Sequence, residues 1–159
     1  MKTKIENVLK EATIRTFEDI CFMYLDPELA DSQKNLEPEA AAEVTFHGDM
    51  TGKLIIESRG GLYSAMAINM LSHDHPSVQQ KKDALGEIAN IICGNIVPSL
   101  GRRKEKGYKI ESPVYLDKTA WLKENQRKPL AEVILNFNQG RADIKIFVDD
   151  DHKTREIRD

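Results

Sequence analysis

The chain has 159 residues, 40% of them apolar and 31% charged, with 23 basic side chains against 26 acidic ones. This is a single-domain length, and a chain of this size buries about 70% of the surface its unfolded form exposes, so it needs neither disulfides nor metals to fold. The apolar share excludes a disordered polyampholyte as the main body, and a net charge of −3 with an isoelectric point near 5.8 argues against a general nucleic-acid binder, which needs excess basic charge.

The first segment, MKTKIENVLKEA, lacks the continuous apolar run of a secretory signal. No apolar stretch approaches the roughly 20 residues of a membrane span. Cys21 and Cys93 have neither metal-ligand nor redox-motif spacing and read as buried, reduced thiols. The expectation is a cytoplasmic protein with a protein or small-molecule partner, no nucleic acid and no membrane.

In chain order, Ile5, Val8, Leu9, Ala12, Phe17, Ile20, Cys21 and Tyr24 recur at helical spacing and predict one long amphipathic helix. Pro27 and the polar run from Asp31 to Asn35 end it. Two short strands follow, Glu43 to His47 and Lys53 to Glu57, joined by a glycine-containing turn. After Gly60-Gly61 comes a second helix, Leu62 to Leu71, rich in Ala and Met. Ser77-Val78-Gln79-Gln80 has the form of a capping box and opens a third helix, which runs to about Leu100. Gly101 suits its C-terminal cap, and Pro98 predicts a kink or an early end.

Beyond the basic link Arg102 to Lys106, the pattern is that of sheet. Tyr108 to Leu116 is a candidate strand whose Pro113 marks an edge or a bulge. Leu130 to Asn138 and Ala142 to Val148 alternate across Asn138-Gln139-Gly140, a strong hairpin signal. Residues 1–149 therefore form one domain of the α+β class, long helices on one face of a largely antiparallel sheet. Residues 150–159 read as a charged C-terminal tail.

The third helix carries the anomaly. At 100° per residue, Glu87 falls about 40° from Asp83, and Asn90 and Gly94 about 20° to either side of it. Leu85, Ile88, Ala89, Ile92 and Ile96 lie about 140–240° around the helix, so they make the core stripe while Asp83, Glu87, Asn90 and Gly94 face away. Asn and Gly inside a helix cost roughly 0.5–1 kcal/mol each relative to Ala. Gly94 also removes a side chain that would block another molecule approaching this stripe. An exposed helix face can carry such residues with no further role.

Asp83, three residues, Glu87, two residues, Asn90, twenty-two residues, Pro113: this spacing resembles the motif of the CheC, CheX and FliY chemotaxis phosphatases at all four positions. The order of elements from about Ile5 to Val148 is similar to CheX as well. CheC-type members carry two motif helices, whereas here Glu11 is followed three residues on by Ile14 and Glu18 by Cys21, so the single copy resembles the CheX type. The resemblance implies hydrolysis of the aspartyl-phosphate of a CheY-like response regulator. In it Asn90 would orient the attacking water and Glu87 would pair with the receiver's active-site lysine; both are the implied catalytic residues. It implies no cofactor in this chain, with Mg²⁺ held by the receiver domain, and a homodimer joined through sheet edges. Asp83 and Gly94 would belong to the partner-contact surface, and Pro113 would shape an edge strand or turn. A non-enzymatic adaptor on the same scaffold, in chemotaxis or the flagellar switch, is the alternative.

Other features allow blander readings. His73-Asp74-His75, with Asp49 or His152, could hold a metal but suits a solvated connection better. Arg102-Arg103-Lys104, Lys106 and Lys109 could steer an acidic partner or complement a helix C-terminus. Met66 and Met70 read as core filler. Trp121, between Lys118 and Lys123, is either an interface anchor or a lid over the core.

Overall fold

The computed structural model describes residues 2–100 and 107–149. Among them are six strands, β1 (Pro38–His47), β2 (Gly52–Arg59), β3 (Lys109–Ile110), β4 (Val114–Leu116), β5 (Ala131–Phe137) and β6 (Gly140–Val148). All pair antiparallel in one sheet of order β3-β1-β2-β6-β5, with β4 sharing the outer edge of β1 with β3. The helices are α1 (Lys2–Cys21), α2 (Leu62–Leu71), α3 (Val78–Ile96) and α4 (Lys118–Glu124).

Strand side chains alternate between faces, and here the two sets enter different layers. Even positions of β1, β2 and β6 and odd positions of β5, such as Val44, Ile56, Ile144 and Leu135, join the main core with residues of α1, α2 and α3. Phe17 of α1 stacks on Phe137 of β5 with ring centroids 4.7 Å apart. The three longer helices thus lie on one face of an antiparallel sheet, the α+β arrangement expected. The closing hairpin turns at Asn138-Gln139, with Phe137 paired to Gly140. Gly140 has φ +149°, and a Cβ there would lie 2.4 Å from the Arg59 carbonyl oxygen, so the turn requires glycine.

Several expected boundaries move. The first helix ends at Cys21, where Phe22 takes φ 55°, and Tyr24 lies beyond it and is exposed rather than on the apolar stripe. β1 begins at Pro38 because pairing with β2 extends the strand through Ala40-Ala41-Ala42, a run with little strand preference of its own. Pro113, which has no N–H to offer, divides the candidate strand Tyr108 to Leu116 into β3 and β4.

α4 corrects the expectation of sheet throughout the C-terminal part. Asp117 caps it by accepting a hydrogen bond from the Ala120 amide at 2.8 Å. The helix lies on the opposite face of the sheet, where Ala120 and Trp121 pack against Ala41, Ile55, Leu116 and Phe147. Of the two readings of Trp121, a lid over packed residues is what the fold shows. Its Nε1 donates to Glu57 Oε2 at 2.6 Å, and the same carboxylate pairs with Lys145 at 3.2 Å and Arg59 at 3.3 Å. Glu57 is fully buried, and these three donors offset the cost of removing its charge from water. At the end of α4, burial favours the protonated form of Glu124, but the Lys53 and Arg127 side chains outweigh it and hold the carboxyl below its ordinary range.

Removing Glu57 leaves Lys145 and Arg59 without their shared acceptor. Glu57→Ala is expected to cost about 3–5 kcal/mol in urea unfolding and to shift the emission of Trp121, the single tryptophan, to the red. An unchanged midpoint and spectrum would mean that apolar packing alone holds α4.

Candidate functional site

α3 starts as its sequence predicts. Ser77 Oγ accepts from the Gln80 amide at 3.1 Å while Gln80 Oε1 accepts from the Ser77 amide at 2.8 Å, a complete capping box. The α-helix stops at Ile96 and continues as one 3₁₀ turn, Val97–Ser99, because Pro98 cannot donate to the ladder. The expected cap, Gly101, lies outside the described residues. Leu85, Ile88, Ala89, Ile92 and Ile96 are buried, and their packing turns the other side of the helix outward.

On that side Asp83 and Glu87 are exposed, whereas Asn90 and Gly94 are half-buried. Asp83 Oδ1 accepts from Gln79 Nε2 at 2.8 Å, a bond between neighbouring turns of the helix. The side chains of Glu87 and Asn90 have no hydrogen-bond or ion-pair partner among the described residues, and the Asn90 amide is not sealed from solvent. An exposed carboxylate and an unengaged carboxamide therefore stand one turn apart on a helix fixed by its other face.

A strap formed by β3, Pro113 and β4 runs beside this stripe. Gly86, four residues before Asn90, lies under Pro113, where a Cβ would be 3.1 Å from both Cβ and Cγ of the ring. Gly94, four residues after Asn90, faces Ile110, whose Cδ1 is 3.8 Å from where a Cβ would stand. Gly94 thus borders Ile110 of the same chain at ordinary contact distance while remaining partly open to solvent. Further along the strap, the Lys82 ammonium sits 4.7 Å from the centroid of the Tyr115 ring. Tyr63 of α2 approaches that ring at 6.4 Å, and burial together with Tyr115 pushes the Tyr63 phenol up to about 12, leaving it uncharged at neutral pH.

Helix and strap enclose a groove of about 320 Å³ lined by Gln79, Lys82, Asp83, Gly86, Glu87, Pro113 and Tyr115. It brings together Asp83, Glu87 and Pro113, three of the four motif positions. Asn90 does not line it and follows Glu87 along the same helix. Sequence reasoning missed Gln79, Lys82, Gly86 and Tyr115. A second mid-helix glycine in register with Asn90 and Gly94, and an aromatic residue two positions after Pro113, were the available signals.

The other described candidates do not line this groove. His73 Nδ1 accepts from the His75 amide at 3.2 Å, a local bond within the connection. Among the described residues no three His, Cys, Asp or Glu side chains cluster as metal ligands, and His152 lies outside them. Arg102, Arg103, Lys104 and Lys106 also lie outside the described residues. Burial pushes the Cys21 and Cys93 thiols up to about 12, so neither is a thiolate nucleophile at neutral pH. No described helix is long and apolar enough to cross a membrane.

The family model of the chemotaxis phosphatase CheX matches residues 40–137, more than half of the chain and all of the site. The chain belongs to the CheX family. Its fold is similar to that of CheX from Desulfovibrio desulfuricans, at 16% identity over 92% of this chain and 99% of the other, with a TM-score of 0.64. CheX from Vibrio vulnificus gives 0.65 at 16% identity, covering 94% of this chain and 99% of that one. CheX of Borrelia burgdorferi, solved as a CheX–CheY–BeF3–Mg complex, gives 0.61 at 16% identity over 91% and 97% of the two chains. At these identities the likeness is one of fold. Comparison with curated proteins finds none that matches in sequence.

In this member of the CheX family the capping box sets where the site helix begins. Ser77→Ala is expected to cost about 1 kcal/mol, measured by urea unfolding. A loss near zero would show that packing of the apolar stripe alone defines the start of α3.

Proposed function

We propose that this CheX-family chain hydrolyses the aspartyl-phosphate of a CheY-like response regulator, presenting Glu87 and Asn90 to the receiver's phosphorylated pocket. The observation that carries the reading is that these two side chains, unpartnered among the described residues, stand on the outward face of a helix anchored by its other side. The family's phosphatase assignment and the CheX–CheY complex of the Borrelia burgdorferi relative support the choice of partner.

The chemistry asks little of this chain. In hydrolysis of an acyl phosphate, water attacks phosphorus and the bond from phosphorus to the aspartyl oxygen breaks. The products are a carboxylate and inorganic phosphate, and the water's proton passes to the products or solvent. The transition state needs an in-line water and neutralisation of the phosphoryl oxygens. A carboxamide such as Asn90 can both donate to and accept from one water, fixing its direction without acquiring charge. Glu87 pairs with the receiver's active-site lysine, and Mg²⁺ would be the receiver's own and would supply charge neutralisation there. Asp83, already held by Gln79, contributes charge to the contact surface. The groove beside Glu87 receives the rim of the partner, and Pro113 shapes it. A cytoplasmic homodimer joined through sheet edges belongs to the same reading. Among the described residues the sheet ends at β5 on one side and at the short β3 and β4 on the other.

The test is phosphate release from a phosphorylated receiver with and without this protein. Asn90→Ala is expected to remove the acceleration while folding stays intact, a loss of about 10²–10³ in rate by analogy with deleting one positioned transition-state donor. Full activity in that variant would end the assignment of Asn90. Glu87→Ala is expected to weaken binding as well as turnover, and wild-type affinity would argue against its docking role. Binding of the receiver without faster release would instead favour a non-catalytic adaptor.

A further inference from the structure

Gly86 occupies the interior of α3, where glycine is a poorer helix former than alanine because it loses more backbone freedom on folding. Its backbone gives no local reason for glycine, since its φ is not in the left-handed region. The reason lies across the groove. An alanine Cβ at this position would stand 3.1 Å from two carbons of the Pro113 ring, inside the 3.5–4.0 Å of an ordinary carbon–carbon contact. That ring is rigid, and it is held on both sides: β3 pairs with β1 through Ile110 and Phe46, and β4 through Val114 and Glu43. Pro113 cannot swing aside as a flexible side chain would, so relief requires the strap and the helix to part by a few tenths of an ångström. Tyr115, two residues on, moves with the strap, away from its place beside Lys82.

We propose that Gly86 is a positioning residue. The notch left by its missing side chain seats Pro113 and so sets the width of the groove between the strap and the Asp83–Glu87 face of α3. The inference rests on the phosphatase reading for its kinetic consequence but not for its geometry. Glu87 and Asn90 belong to the helix and keep their places when the strap shifts. The notch therefore governs how the receiver docks, through the wall carrying Pro113 and Tyr115, and leaves the water-directing step alone.

The experiment compares wild type, Gly86→Ala, Pro113→Gly and the double variant in steady-state phosphate release from a phosphorylated receiver. Hydrogen exchange of the amides in residues 109–116 and thermal unfolding are followed alongside. Gly86→Ala is expected to raise KM several-fold with kcat near wild type, to speed exchange across the strap, and not to lower the unfolding temperature. Pro113→Gly removes both carbons that the new methyl would meet. Adding Gly86→Ala in that background is expected to change neither KM nor exchange. Wild-type KM and exchange in Gly86→Ala would overturn the proposal, as would an equal effect of the alanine in both backgrounds. If the wild-type protein accelerates no receiver, the phosphatase reading falls and the exchange measurements alone decide the notch. Faster strap exchange that depends on Pro113 then supports it, and unchanged exchange overturns it.

Discussion

Leu85, Ile88, Ala89, Ile92 and Ile96 pack α3 into the core shared by α1, α2 and the inner face of the sheet, and that packing sets the rotation of the helix about its own axis. Burying a large aliphatic side chain is worth about 1.5–3 kcal/mol, and a domain's whole stability is about 5–15 kcal/mol. Turning α3 by even one residue would place part of this stripe in water and polar groups in the core, a loss comparable with the entire margin. The outward direction of Glu87 and Asn90 is therefore a consequence of the core. Neither side chain needs a hydrogen bond within the chain to be presented.

The opposite wall of the groove is held from both sides of the sheet. On the three-residue β4, alternation sends Tyr115 toward α3 and Leu116 toward the cluster beneath α4. The chain then passes through Asp117 directly into α4, whose Trp121 is tied to the buried Glu57. The polar network of Glu57, Arg59 and Lys145 on the outer face and the site groove are thus joined by only a few residues of backbone. A short helix on the far side of the sheet anchors one wall of the site.

On the phosphatase reading proposed above, the work is divided between two proteins. A labile acyl phosphate in a receiver that holds its own metal and lysine would need only a directed water and a docking charge from outside, and a rigid helix face would be enough to bring both. A deep pocket enclosing a substrate would exclude a neighbouring domain. The groove beside α3, lined by Glu87 and bounded by Pro113, would suit a partner that carries its own reaction centre.

Much of this was legible in the chain itself. The capping box at Ser77, the apolar stripe of α3, the closing hairpin and the spacing from Asp83 to Pro113 are local or periodic signals, and they led to the α+β class and to the CheX resemblance. Helix and strand periodicity determined which residues share a face, because side-chain direction follows from backbone repeat. What lay across from those faces was decided only by the tertiary structure. α4 is seven residues long with its apolar residues few, too short for periodicity to reveal, and its place on the far side of the sheet depends on partners as distant in sequence as Glu57 and Ala41. The pairing of Gly86 with Pro113, and of Gly94 with Ile110, likewise joins residues that no local preference connects. Spacing along one helix is written in its own backbone geometry, but contact between two segments exists only after the chain between them has folded.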